Sequence, residues 1–144
     1  MKKSVLCIFV GLLFGVLSCN SVPHPIKLGT DACDFCKMPI ADRNFGAEII
    51  TDKGKVYKFD DPHCLAAFRK QNIDSNIIKQ VYFVNFLDPH NFIDAGHVSL
   101  LKSNELHSPM GGNTAAFDNR EKLKITQQKV QGNEITLTEL FDTK

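Results

Sequence analysis

Phe59-Asp60-Asp61 recurs as Phe117-Asp118-Asn119, an offset of 58 residues (117 − 59). In both places an extended stretch precedes the pattern, and a helix-forming stretch and then a β-like run follow it. A chain built from one unit twice has few folds open to it. A unit of about 50 residues buries too little apolar surface to stand alone, so the two must pack together. The expected fold class is therefore α+β, with two tandem ββαβ units over about 44–88 and 96–142.

The first unit reads clearly. Phe45 to Thr51 is a strand, 52–55 is a turn with Gly54 where a positive φ is needed, and Val56 to Phe59 is the return strand. Asp61 before Pro62 marks a helix start, with an acidic cap and proline at the first helical position. That helix is expected over 61–71, with Cys64, Leu65, Ala67 and Phe68 on one face. Val81 to Phe86 is the third strand. In the second unit His97 to Leu101 and Ala115 to Phe117 are strands, Asp118 caps a helix to Val130, and Glu134 to Leu137 closes the unit. Phe86-Leu87-Asp88 and Leu140-Phe141-Asp142 are read as matching unit ends.

Ahead of the units the chain opens Met1-Lys2-Lys3 and runs apolar from Val5 to Leu17, ending Leu17-Ser18-Cys19. A charged start, a short apolar run and a small residue before cysteine form a secretory signal, and they resemble the lipobox of bacterial lipoproteins. The resemblance implies cleavage after residue 18 and acylation of Cys19. Residues 19–30 carry Pro23, Pro25 and Gly29 and are read as a lipidated tether, with His24 solvated in it. The domain is then 31–144. Loss of Lys2 and Lys3 takes the basic residues from 17 to 15 against 16 acidic ones, a charge of −1 (15 − 16). With no basic block left, nucleic acid is excluded as a partner.

Once Cys7 leaves with the signal and Cys19 takes lipid, Cys33, Cys36 and Cys64 remain. An exported protein meets oxidising conditions, and three thiols cannot all pair. At least one is left free or metal-bound. The stretch Cys33-Asp34-Phe35-Cys36-Lys37-Met38 adds a thioether to two thiols. Soft sulfur donors select soft metals, above all Cu(I). Cys36 and Met38 are the leading ligands. Met110, in the loop His107-Ser108-Pro109-Met110-Gly111-Gly112, is the next candidate, with His107 beside it. Cys33 either binds metal or pairs with Cys36. Cys64 and His63, in the first helical turn, are further candidates, and Cys64 on the apolar helix face reads first as core. His90 and His97 are read as structural or exposed.

Taken together, Cys33-x-x-Cys36-x-Met38, Phe59-Asp60-Asp61 with Cys64, and Pro109-Met110-Gly111 before Ala116-Phe117 resemble the NosL family of nitrous oxide reductase accessory lipoproteins. The resemblance implies two ββαβ units and a non-catalytic, lipid-anchored protein facing the periplasm. It also implies Cu(I) delivery during assembly of a copper enzyme, nitrous oxide reductase or its membrane assembly complex being the partner. Lys37 stands where the family motif Cys-Gly-Met has glycine. Its cation either favours thiolates or faces a partner.

Four other readings stay open from the residues alone. Cys33, Cys36, His63 and Cys64 have the composition of a structural zinc site. Cys-x-x-Cys is shared with thiol–disulfide oxidoreductases, although here it does not open a helix after a strand. Three thiols are also the raw material of an organomercurial lyase, whose fold is related to that of NosL, although its full catalytic pattern is not evident. A purely structural lipoprotein is the fourth.

Overall fold

The computed structural model describes residues 21–142. Its strands are β1 (Ala47–Thr51), β2 (Val56–Phe59), β3 (Ile78–Asn85), β4 (Asp88–Asp94), β5 (Ser99–Lys102), β6 (Thr114–Phe117) and β7 (Asn133–Ile135). The helices are α1 (Pro62–Gln71), α2 (Arg120–Val130) and α3 (Leu137–Asp142). The strands form one sheet in the order β2-β1-β3-β6-β5-β7, and β4 pairs with β3.

The duplication is visible in that order. Each unit places its first strand between its second and its third, β2-β1-β3 and then β6-β5-β7. The units meet where β3 runs parallel to β6 at Asn85 and Ala116, and the Phe86 N–H donates to the Ala116 carbonyl at 2.8 Å. Two ββαβ units packed edge to edge are thus the architecture. Their hairpins differ. Ala47 pairs with Phe59 across the turn 52–55, whereas Ser99 pairs with Phe117 across the long loop 103–113.

Both principal helices start in the same way. Asp61 is extended at φ −152° and its carboxylate accepts from the His63 N–H. Asn119 is extended at φ −146° and accepts from the Glu121 N–H. The second cap is therefore Asn119, not Asp118 as the sequence suggested. The offset of 58 already maps 61 onto 119, and Asp118 instead pairs with Lys122 one turn on, at 3.1 Å. On α1 the buried apolar face is Cys64, Leu65, Ala66 and Phe68, with Ala67 only half-buried.

Two further elements escaped the sequence reading. β4 has Pro89 and a single buried residue, Ile93, so its apolar alternation is faint. It forms because β3 offers a free edge. The run Leu140-Phe141-Asp142 is helical, and Leu137, expected to end the last strand, instead opens that helix, the strand stopping at Ile135. Thr136 accepts from the Glu139 N–H while Glu139 accepts from the Thr136 N–H, a reciprocal capping pair that starts α3. α3 packs on α1, where the Arg69 guanidinium lies 4.5 Å from the Phe141 ring centre.

Residues 21–30 do not hang free of the domain. The Ile26 side chain is buried against the sheet, and a β-carbon at Gly46 would sit 2.4 Å from its Cδ1, so glycine there admits it. The His24 N–H donates to both oxygens of Glu48 at 3.0 and 3.1 Å. The Tyr82 hydroxyl donates to the Ser21 carbonyl at 2.5 Å. This strap explains why every residue of β1 is buried. α1 covers the face of Ala47 and Ile49, and the strap covers that of Glu48 and Ile50. The signal, Cys19 and Asn20 lie outside the described residues.

Candidate metal centre

A tight loop presents the first two thiols. Ala32 and Pro39 bridge across its base, and the Cys33 N–H donates to the Met38 carbonyl at 2.8 Å. The Lys37 N–H returns to the Cys33 carbonyl at 2.9 Å. Lys37 itself is left-handed at φ +65°, and its ammonium bonds the Asp34 carbonyl. Two bonds lay this loop against β2: the Asp34 N–H donates to the Lys58 carbonyl, and the Lys58 N–H to the Asp34 carboxylate, both at 2.8 Å. The loop thereby rests on the chain just before α1 begins.

There Cys33, Cys36, Asp60 and Cys64 converge, and one donor atom from each lies within 4.8 Å of all the others. Cys33, Cys64 and Asp60 are buried and Cys36 is half-buried. The Cys36 thiol donates to Asp60, with its sulfur 3.6 Å from Oδ2. The hydrogen bond donated by the Cys64 thiol brings the Cys33 pKa down to about 6, against burial that opposes it. The same bond, joined by burial, pushes Cys64 far up. Burial, followed by the neighbouring Cys33 charge, raises Cys36. The hydrogen bonds of the metal-free site thus favour the thiolate at Cys33 over one at Cys36 or Cys64. A bound cation of soft character would displace the remaining thiol protons.

Asp60 is the donor that sequence reasoning missed. The signal was present: one carboxylate suffices to cap α1, and the adjacent pair Asp60-Asp61 leaves one spare. Cys64 reads first as core, and burial does hold it there, yet its sulfur joins the cluster.

The second unit reaches the site through Asp61. Besides capping α1, this fully buried carboxylate accepts from the Ser108 hydroxyl at 2.5 Å, the Met110 N–H at 3.1 Å and the Gly112 N–H at 3.3 Å. A β-carbon at Gly112 would sit 2.4 Å from Asp61 Oδ1 and 2.5 Å from His63 Cβ, so only glycine lets the loop close on the helix start. Met110 is thereby held on a loop beside α1, 37% exposed, and Met38, on the Cys33–Cys36 loop, is 54% exposed. Neither His63 nor His107 joins the cluster. His63 faces a shallow cavity with Lys102, Gly112, Thr114 and Glu139, and His107 is exposed. His90 and His97 are exposed as well, His97 with its Nδ1 3.6 Å from Asp94. The three described thiols form no disulfide.

The family model for NosL matches residues 25–143, most of the chain. The chain belongs to the NosL family. Its fold is similar to the crystal structure of the copper chaperone NosL from Shewanella denitrificans. The TM-score is 0.74 at 18% identity, over 87% of this chain and 99% of that one. No curated protein sequence matches the chain. Lys37 replaces the NosL motif glycine at a left-handed position, which gives that glycine its physical reason: without a β-carbon the conformation costs nothing. The turn survives the replacement, and the lysine cation caps a carbonyl of its own loop.

Proposed function

We propose that the protein binds Cu(I) at the thiol cluster and passes it to a copper enzyme under assembly, with nitrous oxide reductase as client. The observation that carries this reading is the convergence of three cysteine sulfurs within 4.8 Å. Three soft donors match the two or three that Cu(I) accepts, and half-buried Cys36 gives an incoming acceptor ligand access to the metal. Met38 and Met110 are the thioethers of that exchange, at the flanks of the cluster. The protein is a carrier, not a catalyst. It is lipid-anchored through Cys19 and works on the periplasmic side of the membrane.

Asp60 favours a second reading. A carboxylate beside three thiols makes a four-donor set, which suits tetrahedral zinc. An anaerobic competition titration of the reduced domain with Cu(I) and Zn(II) separates the two. Copper held against excess zinc is expected, as is a weaker Cu(I) affinity in Met38→Ala with zinc affinity unchanged. Preferential zinc binding coupled to folding would overturn the carrier reading.

A further inference from the structure

The strap that crosses the sheet ends far from the thiols. Ser21 and Val22 lie with Asp52, Lys53, Gly54 and Lys79 around a cavity of about 380 Å³, at the turn of the β1–β2 hairpin. The thiol cluster is at the other end of the same hairpin, because Asp60 follows Phe59 directly and Phe59 pairs with Ala47. Six residue steps of extended chain from Gly54 to Asp60, at roughly 3.3 Å each, put about 20 Å between the two ends.

Only two residue steps, through Asn20, join Ser21 to Cys19, and they span at most about 7 Å. The strap is held along its length by Glu48, by Tyr82 and by Lys58, whose ammonium bonds the Pro25 carbonyl and Asp31. A lipid on Cys19 therefore has almost no slack, and the hairpin turn must sit at the bilayer surface. That end is suited to it. Val22 is 63% and Ile77 46% exposed, and the Asp52 N–H to Ile77 carbonyl bond, 3.0 Å, brings Ile77 to the turn. Around them Lys53, Lys55 and Lys79 are matched by Asp52, Asp74 and Asp94, with the Lys55 ammonium resting on the Tyr57 ring. Exposed apolar tips beside the acylated terminus, among charges of balanced sign, match the boundary of a bilayer.

We infer that the hairpin-turn end of the domain is a membrane-docking surface for the phospholipid bilayer, and that the thiol cluster consequently opens away from the bilayer, toward a soluble acceptor. This rests on the lipid-anchor reading of Cys19. The thioether flanks, the half-buried Cys36 and the β3–β4 turn with Leu87 then all face the aqueous side.

The chain has no tryptophan, so one introduced indole reports its own depth. The test takes full-length, membrane-extracted protein carrying Ile77→Trp or Leu87→Trp, both at exposed sites. It is reconstituted in phosphatidylethanolamine–phosphatidylglycerol vesicles with brominated acyl chains. Loss of fluorescence at position 77 and none at 87 is expected. Quenching at 87 equal to or above that at 77, or none at either on acylated, vesicle-bound protein, overturns the orientation; the second result leaves that end to a protein partner. A mass without acyl chains at Cys19 overturns the anchor, and the orientation with it. Amide exchange on the unsubstituted protein is the independent readout, with slowing over 52–55 and 75–79 and none over 86–88 upon vesicle binding.

Discussion

The two ββαβ units share a scaffold and differ where the chemistry is. Asp60 and Cys64 of the first unit correspond to Asp118 and Lys122 of the second (60 + 58, 64 + 58). The first pair is buried within a donor cluster, whereas the second is an exposed ion pair at 3.1 Å. Leu65 and Leu123, one position further on, are both fully buried. Core positions thus kept their character while the first helical turn diverged. The second unit contributes in another way. Its hairpin loop, 103–113, is long enough to cross to the first unit and close on Asp61. The first copy and the loop before it carry the donors, and the second supplies a wall and a methionine.

The largest test of this asymmetry is metal binding. Cys64→Ala is expected to lower Cu(I) affinity by more than the roughly 10–100-fold that outer-shell changes cost. Lys122→Ala is expected to leave it unchanged. Competition with a chromophoric Cu(I) chelator measures both, and equal effects would erase the distinction between units.

Next come the two caps. Asp61→Ala strands several buried donors and is expected to cost about 3 kcal/mol or more. Asn119→Ala removes an exposed cap and is expected to cost about 1 kcal/mol. Urea unfolding compares them, and near-equal losses would mean that the 103–113 loop is not held by Asp61.

Stability against pH sharpens the same contrast, because the described thiols all belong to the first unit or the loop before it. Folded Cys33 titrates at about 6 and an ordinary cysteine at 9.0. Between these values the unfolded chain holds a proton that the folded one has lost, so stability rises with pH over that window. The contribution is complete above 9 and is lost as pH falls through 6. Above 9 the raised Cys36 and Cys64 reverse the slope. Reduced, metal-free protein is expected to follow this course, and Cys33→Ser to lack the rise.

The smallest effect concerns Lys37. Replacing it by glycine is expected to stabilise the sulfur loop by about 1 kcal/mol, since φ +65° costs a lysine and not a glycine. Thermal unfolding should show a slightly higher midpoint with Cu(I) affinity unchanged.

Much of this was legible in the chain itself. The offset between Phe59-Asp60-Asp61 and Phe117-Asp118-Asn119 carries the ββαβ repeat, because a cap, a strand end and a helix face are local and leave local signatures. Cys33, Cys36 and Cys64 were candidates by residue type alone. Elements that depend on a distant neighbour were not legible. β4 exists because β3 has an edge to offer, and residues 21–26 read as tether because their partners, Glu48, Lys58 and Tyr82, are far along the chain. The cap of the second helix was misplaced by one residue because Asp118 and Asn119 are both good cap types, although the offset of 58 already maps Asp61 onto Asn119.

Composition and spacing determined the fold class, the duplication and the presence of soft donors. Which donors meet was decided by tertiary structure. Cys64 moved from a core residue to a member of the cluster, Asp60 entered it unannounced, and His63 and His107 stayed outside. The physical reason is that a metal site is a convergence of side chains in space. Here that convergence is set by a loop bonded to β2 and by one buried carboxylate, Asp61, that draws the second unit onto the first.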